Sequence, residues 1–183
     1  RQMRILGDSV EARYREIVDG SSEFPEDGYQ GEYIRDIARK IQEEHGNNIE
    51  KGDSVFRKSA EDAIFDEIKK SLKNLGIHHN KFSNEKTFYT SGAVEKVTSD
   101  LRNKGLIYEA EGATWFKTTE LGMDQDRVLI KSSGEPTYRL PDIAYHINKV
   151  ERDFDLIIDI LGSDHVDTYP DVVAAVKALG YKT

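Results

Sequence analysis

The apolar residues of this chain change their spacing near Gly105, and that change limits the folds open to it. Before Gly105 they recur every three or four residues, the period of a helix that buries one face. Met3, Leu6, Val10, Tyr14, Ile17 and Val18 form one stripe. Tyr33, Ile34, Ile37, Ala38 and Ile41 form a second, and Val55, Ala60, Ile64, Ile68, Leu72 and Leu75 a third. These stripes predict helices over residues 3–18, 32–44 and 54–75, the last capped by Asp53 or Ser54. Residues 78–83 read as extended, and a shorter helix capped by Thr90 or Ser91 turns Val94, Val97 and Leu101 inward.

After Gly105 the pattern is that of strands. Residues 106–109 and 113–117 flank Glu111-Gly112 and read as a hairpin, and 127–131 as a further strand. Pro141 opens a helix at its first position, where the missing N–H costs nothing. Residues 155–161 are β-rich and alternate too little for a half-exposed edge, which predicts a buried parallel strand. A loop at 162–167 and a helix opened by Tyr169-Pro170 follow. Turn, helix, buried strand, loop and helix make half of a doubly wound α/β sheet. The expected division is therefore a mainly helical unit with a hairpin over 1–125 and half of a nucleotide-binding fold over 126–183.

Composition narrows the function. The formal net charge of −8 has the wrong sign for a surface that grips phosphate throughout. Cysteine is absent, which excludes disulfides and cysteine metal clusters. No apolar run approaches the ~20 residues of a membrane span, and no secretory leader is evident. The chain opens directly into helical sequence at Arg1-Gln2-Met3 and closes just after a helix, so both ends are expected to be cut from something larger.

Two stretches can carry chemistry. Tyr138 and Asp142 lie four residues apart across the bend made by Pro141, where a phenol and a carboxylate can converge on one ligand. On spacing alone, complementarity to the helix dipole accounts for Asp142 better than a ligand does. Gly162-Ser163-Asp164-His165 follows the expected parallel strand, at the crevice where open α/β sheets bind ligands. Gly162 can admit a flat ring, Asp164 can accept from ribose hydroxyls, and His165 can hydrogen-bond a ligand. An ordinary strand-to-helix turn uses the same residue types. No phosphate loop or nucleophile elbow is present, and His78-His79 has no third ligand in metal-binding spacing. No catalytic acid, base, nucleophile or metal ligand is assigned.

The run from Asp126 to Tyr138 (Asp-Arg-Val-Leu-Ile-Lys-Ser-Ser-Gly-Glu-Pro-Thr-Tyr) resembles the arginyl-tRNA synthetases. The likeness continues through Leu140-Pro141-Asp142-Ile143-Ala144-Tyr145-His146, Phe154-Asp155 and Gly162-Ser163-Asp164-His165. Gly7 to Tyr14, Asp27 to Ile34 and Thr118-Thr119-Glu120 are similar to the insertion region of that family. The resemblance implies the second half of a class I Rossmann-like nucleotide-binding core, preceded by a mainly helical insertion with a β-hairpin near the tRNA acceptor end. It implies a piece of an arginine–tRNA ligase, which activates L-arginine with ATP, with Mg2+ in the parent enzyme, and transfers it to tRNA(Arg) in the cytoplasm. Neither a membrane nor DNA is implied as a partner. Tyr138, Asp142 and His165 match the family's arginine-binding positions, and Gly162, Ser163, Asp164 and His165 the loop that meets adenosine.

Departures are as informative. The His-Ile-Gly-His-like and Lys-Met-Ser-Lys-Ser-like signatures of class I enzymes are absent, and so is the anticodon-binding domain. The chain alone is therefore expected to bind ligands weakly and not to catalyse. Two rival readings remain: a non-enzymatic helical tRNA- or protein-interaction module, and a class I synthetase for another amino acid.

Overall fold

A computed structural model of the chain describes residues 2–21 and 23–183. Contacts divide it into two compact units, Arg1–Asn80 and Lys81–Thr183. This division by packing falls earlier than the expected one between residues 125 and 126.

The first unit is built from α1 (Gln2–Asp19), α2 (Glu32–His45) and α3 (Ser54–Asn74). Their stripes meet in a core of Leu6, Val10, Tyr14, Ile34, Ile37, Ala38, Ile41, Phe56 and Ala60. Asp53 caps α3, its carboxylate accepting from Val55 N–H at 2.8 Å. Gly7 lets α1 approach α3 closely, since a Cβ there would stand 3.0 Å from the Cβ of Arg57. The fully buried Tyr14 ring tilts against Phe56 at 5.1 Å, and its hydroxyl donates to the Gly46 carbonyl at 2.8 Å.

The second unit contains α4 (Lys86–Thr90), α5 (Ala93–Asn103), β1 (Ile107–Ala110), β2 (Ala113–Phe116), β3 (Arg127–Ile130), α6 (Arg139–Val150) and α7 (Tyr169–Ala178). The strands form one antiparallel sheet in the order β1-β2-β3. Ala110 pairs with Ala113, leaving Glu111 and Gly112 as a two-residue turn with φ of 54° and 73°. That is the hairpin turn whose twist suits its strands. Phe88, Val97, Leu101, Phe116, Leu129, Leu140, Ile143, Ala144, Val172 and Val176 are among the residues that close the core between sheet and helices.

Three local expectations are corrected. Residues 155–161 are not a buried strand: they carry no regular structure, and Leu156, Ile158 and Ile160 are 74%, 73% and 92% exposed. A strand needs neighbours for its N–H and C=O groups, and among the described residues none lies alongside this one. Half of a Rossmann-like sheet is therefore not seen; the architecture is mostly helical with a small antiparallel sheet. The helix expected from Pro141 starts earlier, at Arg139. Pro141 still lies in the first turn, where N–H groups have no intrahelical partner to lose. Finally, α5 is entered through Gly92 at φ 75° rather than through a Thr90 or Ser91 cap, because α4 occupies residues 86–90.

Candidate functional site

Asp142 lies in the first turn of α6 and is partly buried, its N–H donating to the Tyr138 carbonyl at 3.2 Å. Burial pushes its carboxyl above the usual carboxylate range, and the positive potential of His146, His165 and Lys149 pulls it back down. Two sequence candidates are thus brought together: His165 lies within electrostatic reach of Asp142. A half-desolvated carboxylate among weak cationic neighbours is suited to a cationic ligand that replaces the lost water.

The other candidates are placed less tellingly. Tyr138 caps α6 but its side chain is 85% exposed, standing in solvent rather than against Asp142. Gly162 has φ −69°, a conformation open to any residue, and its carbonyl accepts from His165 N–H at 3.1 Å. Ser163 begins the short 3-10 turn Ser163–His165, and it is exposed. The side chain of Asp164 lies outside the described residues.

Sequence reasoning missed the groups behind Asp142. One turn along α6, His146 directs Nδ1 at the Asp142 main-chain oxygen, 2.8 Å away. A carbonyl can only accept, so Nδ1 carries a hydrogen in that contact. Nε2 faces Lys149 Nζ at 3.2 Å and Asp159 Oδ2 at 3.3 Å. Lys149 also donates to Asp159 Oδ1 and stands 4.4 Å from the centre of the Tyr145 ring. The His146, Lys149 and Asp159 side chains are all largely buried, at 15%, 13% and 14% exposure. The spacing Asp142, His146, Lys149 puts three polar groups on one helix face, which was readable. Asp159 was legible only as a break in an apolar run.

A second polar knot is structural. Asp171, 2% exposed in the first turn of α7, accepts from Arg127 Nε at 3.0 Å and from Arg139 Nε at 2.8 Å. It ties β3 and the start of α6, the element carrying Asp142, to α7. Among the described residues no group of three or more His, Cys, Asp or Glu is placed to hold a metal ion, and no helix is long and apolar enough to cross a membrane.

Comparison with known proteins adds to this geometry. The family described as tRNA synthetases class I (R), catalytic domain, matches residues 9–183. Arginine–tRNA ligase of Desulfotalea psychrophila is 54% identical over 183 residues, which are 99% of this chain and 33% of that protein. Its counterpart from Chlorobium luteolum is 52% identical over 190 residues, covering 100% of this chain and 34% of its own length. The crystal structure of a Campylobacter jejuni protein, described as an arginyl tRNA synthetase, superposes with a TM-score of 0.88 at 31% identity, over 98% of this chain and 40% of its own. The chain thus spans about a third of the length of the curated relatives it matches.

Proposed function

The chain belongs to the catalytic-domain family of the class I arginine tRNA synthetases, and from that premise we propose that it is part of an arginine–tRNA ligase. The parent enzyme activates L-arginine with ATP and transfers it to tRNA(Arg) in the cytoplasm.

The observation that carries this reading is the Asp142 carboxylate, held half-buried in the first turn of α6 with His165 nearby. A guanidinium is planar, permanently charged and forked, and a carboxylate meets it with two parallel hydrogen bonds. Desolvation makes the bare carboxylate costly, so a bound cation gains what the missing water gave up. Tyr138 swings from solvent to cover the bound side chain, offering a hydroxyl or a ring face. Residues 162–165 meet the adenosine of ATP, and His165 borders both ligands. Magnesium, in this reading, arrives with the phosphates of ATP; no described cluster of this chain is assigned to it.

Residues 126–183 are the carboxyl half of the Rossmann-like core, and residues 1–125 are the insertion near the tRNA acceptor end. The exposed apolar residues of 155–161 then pair as a strand with sequence outside this chain, which the one-third coverage of the relatives leaves room for. The net charge of −8 assigns most phosphate contacts with tRNA to that remaining sequence as well. No residue acts as nucleophile, and catalysis runs by positioning and charge stabilisation. ATP–pyrophosphate exchange tests the proposal. Arginine-dependent exchange is expected from the full-length protein carrying this sequence and not from residues 1–183 alone. Full-length protein that exchanges with another amino acid and ignores arginine would overturn it.

A further inference from the structure

Helix α7 carries apolar residues around its whole circumference. Val172, Ala175 and Val176 face the core, and Asp171 is held inside by two guanidiniums. Pro170, Val173, Ala174 and Ala178 take the opposite side of the helix, where with Leu121 and Met123 they line a groove of about 650 Å³. Among the described residues of that lining, Lys177 alone is charged. A helix that is apolar on every side is one that a fold buries on every side.

We propose that this groove seats an apolar helix of the same polypeptide, contributed by sequence outside residues 1–183. The matched relatives extend well beyond this chain, which spans 33% of one and 34% of another. The strand pairing assigned to residues 155–161 covers a different side of α7. The groove shares Tyr169, Val173 and Lys177 with the cavity of about 620 Å³ that residues 153–157 border. Apolar surface therefore continues around α7 from the groove to Phe154 and Leu156, which are exposed. Separate molecules meet through an apolar centre with a polar rim, and this groove has little rim to offer. It has the character of a core cut open, which packing within one chain closes.

The occupant is a helix because the groove walls are side chains, α7 on one side and Leu121 and Met123 on the other. A strand laid there would leave its N–H and C=O groups without partners, whereas a helix satisfies its own. Pro170, Ala174 and Ala178 follow one another at four-residue spacing, a low row against which a second helix packs closely. The inference uses the length of the relatives and not the arginine site.

The test is made on the full-length protein. Pro170 is exposed in residues 1–183, and no cysteine occurs among them. Thiol labelling of Pro170→Cys and of Ala174→Cys, read by mass spectrometry of the modified peptide, is compared with the same variant unfolded in urea. Both thiols are expected to react more than about tenfold slower in the folded protein, because the seated helix must open first. Ala178→Cys replaces either variant should one fail to fold. Photo-methionine in place of methionine then identifies the occupant, since Met123 lines the groove. Its cross-links are expected within one molecule, on apolar residues outside 1–183 that stand three or four apart.

Labelling within about tenfold of the unfolded rate would overturn the proposal, because the groove would then be open to solvent. Cross-links between isotopically distinct copies would make the occupant a second molecule, and protection that appears only with added tRNA would make it RNA; either result overturns the assignment. Protection with no cross-link outside 1–183, or cross-links two residues apart as in a strand, would overturn it too. Arginine-dependent ATP–pyrophosphate exchange can succeed or fail whichever way the groove reads, so the two proposals fall separately.

Discussion

Arg139 donates its Nε–H to Oδ2 of Asp171 at 2.8 Å, joining the first turn of α6 to the first turn of α7 through a carboxylate that is 2% exposed. The same oxygen takes the Nε–H of Arg127 from β3 at 3.0 Å. One buried anion thus holds two largely buried guanidiniums, at 16% and 22% exposure. Removing it takes this carboxylate from both cations, and Arg127 keeps only the exposed Asp124, 2.9 Å from its Nη2. Asp171→Ala is expected to destabilise the second unit by about 3–5 kcal/mol, measured as the urea midpoint at constant m-value. A loss below about 1 kcal/mol would mean that water takes the carboxylate's place.

Asp142 stands in the opposite situation. Burial raises its carboxyl above the ordinary range, so the fold binds that proton more tightly than the unfolded chain does. The charged form is thus a cost to folding, fully present above the folded-state pKa and gone below the unfolded one. Asp142→Asn is expected to raise the melting temperature at neutral pH, and the advantage to disappear as pH falls through the carboxylate range. A variant less stable than the original protein at neutral pH would contradict the account of Asp142 as a carboxylate kept at a cost for its ligand.

Within the first unit, Tyr14 has no solvent exposure and its hydroxyl donates to the carbonyl of Gly46, just past the end of α2. Tyr14→Phe keeps the packing against Phe56 and removes that bond together with the longer one the hydroxyl accepts from Ile49 N–H at 3.4 Å. The expected cost is about 1 kcal/mol by thermal or urea unfolding. No loss would show that the hydroxyl is dispensable to the end of α2.

Ile158 and Ile160 are 73% and 92% exposed. Changing both to Ser should leave the stability of residues 1–183 within about 0.5 kcal/mol, as for surface sites generally. In the full-length protein, where residues 155–161 are proposed to pair as a strand, the same pair should cost several kcal/mol. Equal effects in the two settings would remove the case for a buried strand there.

What could be read from sequence was local. The three stripes of the first unit became α1, α2 and α3 because each helix buries one face, which period alone reveals. Glu111-Gly112 became a two-residue turn because both positions need positive φ. The five-residue α4 is too short to show a period. Asp171 finds its partners 32 and 44 residues away, which no spacing rule anticipates. Residues 155–161 have the composition of a buried strand, but a strand is a property of a pair, and among the described residues none lies alongside them. At the candidate site, Asp142 and His165 came from motif and position, whereas the His146–Lys149–Asp159 cluster required knowing that the segment after α6 folds back on it.

The central claim is that Asp142 recognises a guanidinium charge. It is tested most directly by the ratio of L-arginine to L-citrulline affinity in the full-length protein, with and without Asp142→Asn. A ratio of about a hundredfold or more that collapses toward one in the variant is the predicted result, since citrulline lacks the charge and carries a carbonyl acceptor in place of one N–H donor group. A variant that keeps the preference for arginine would contradict the claim.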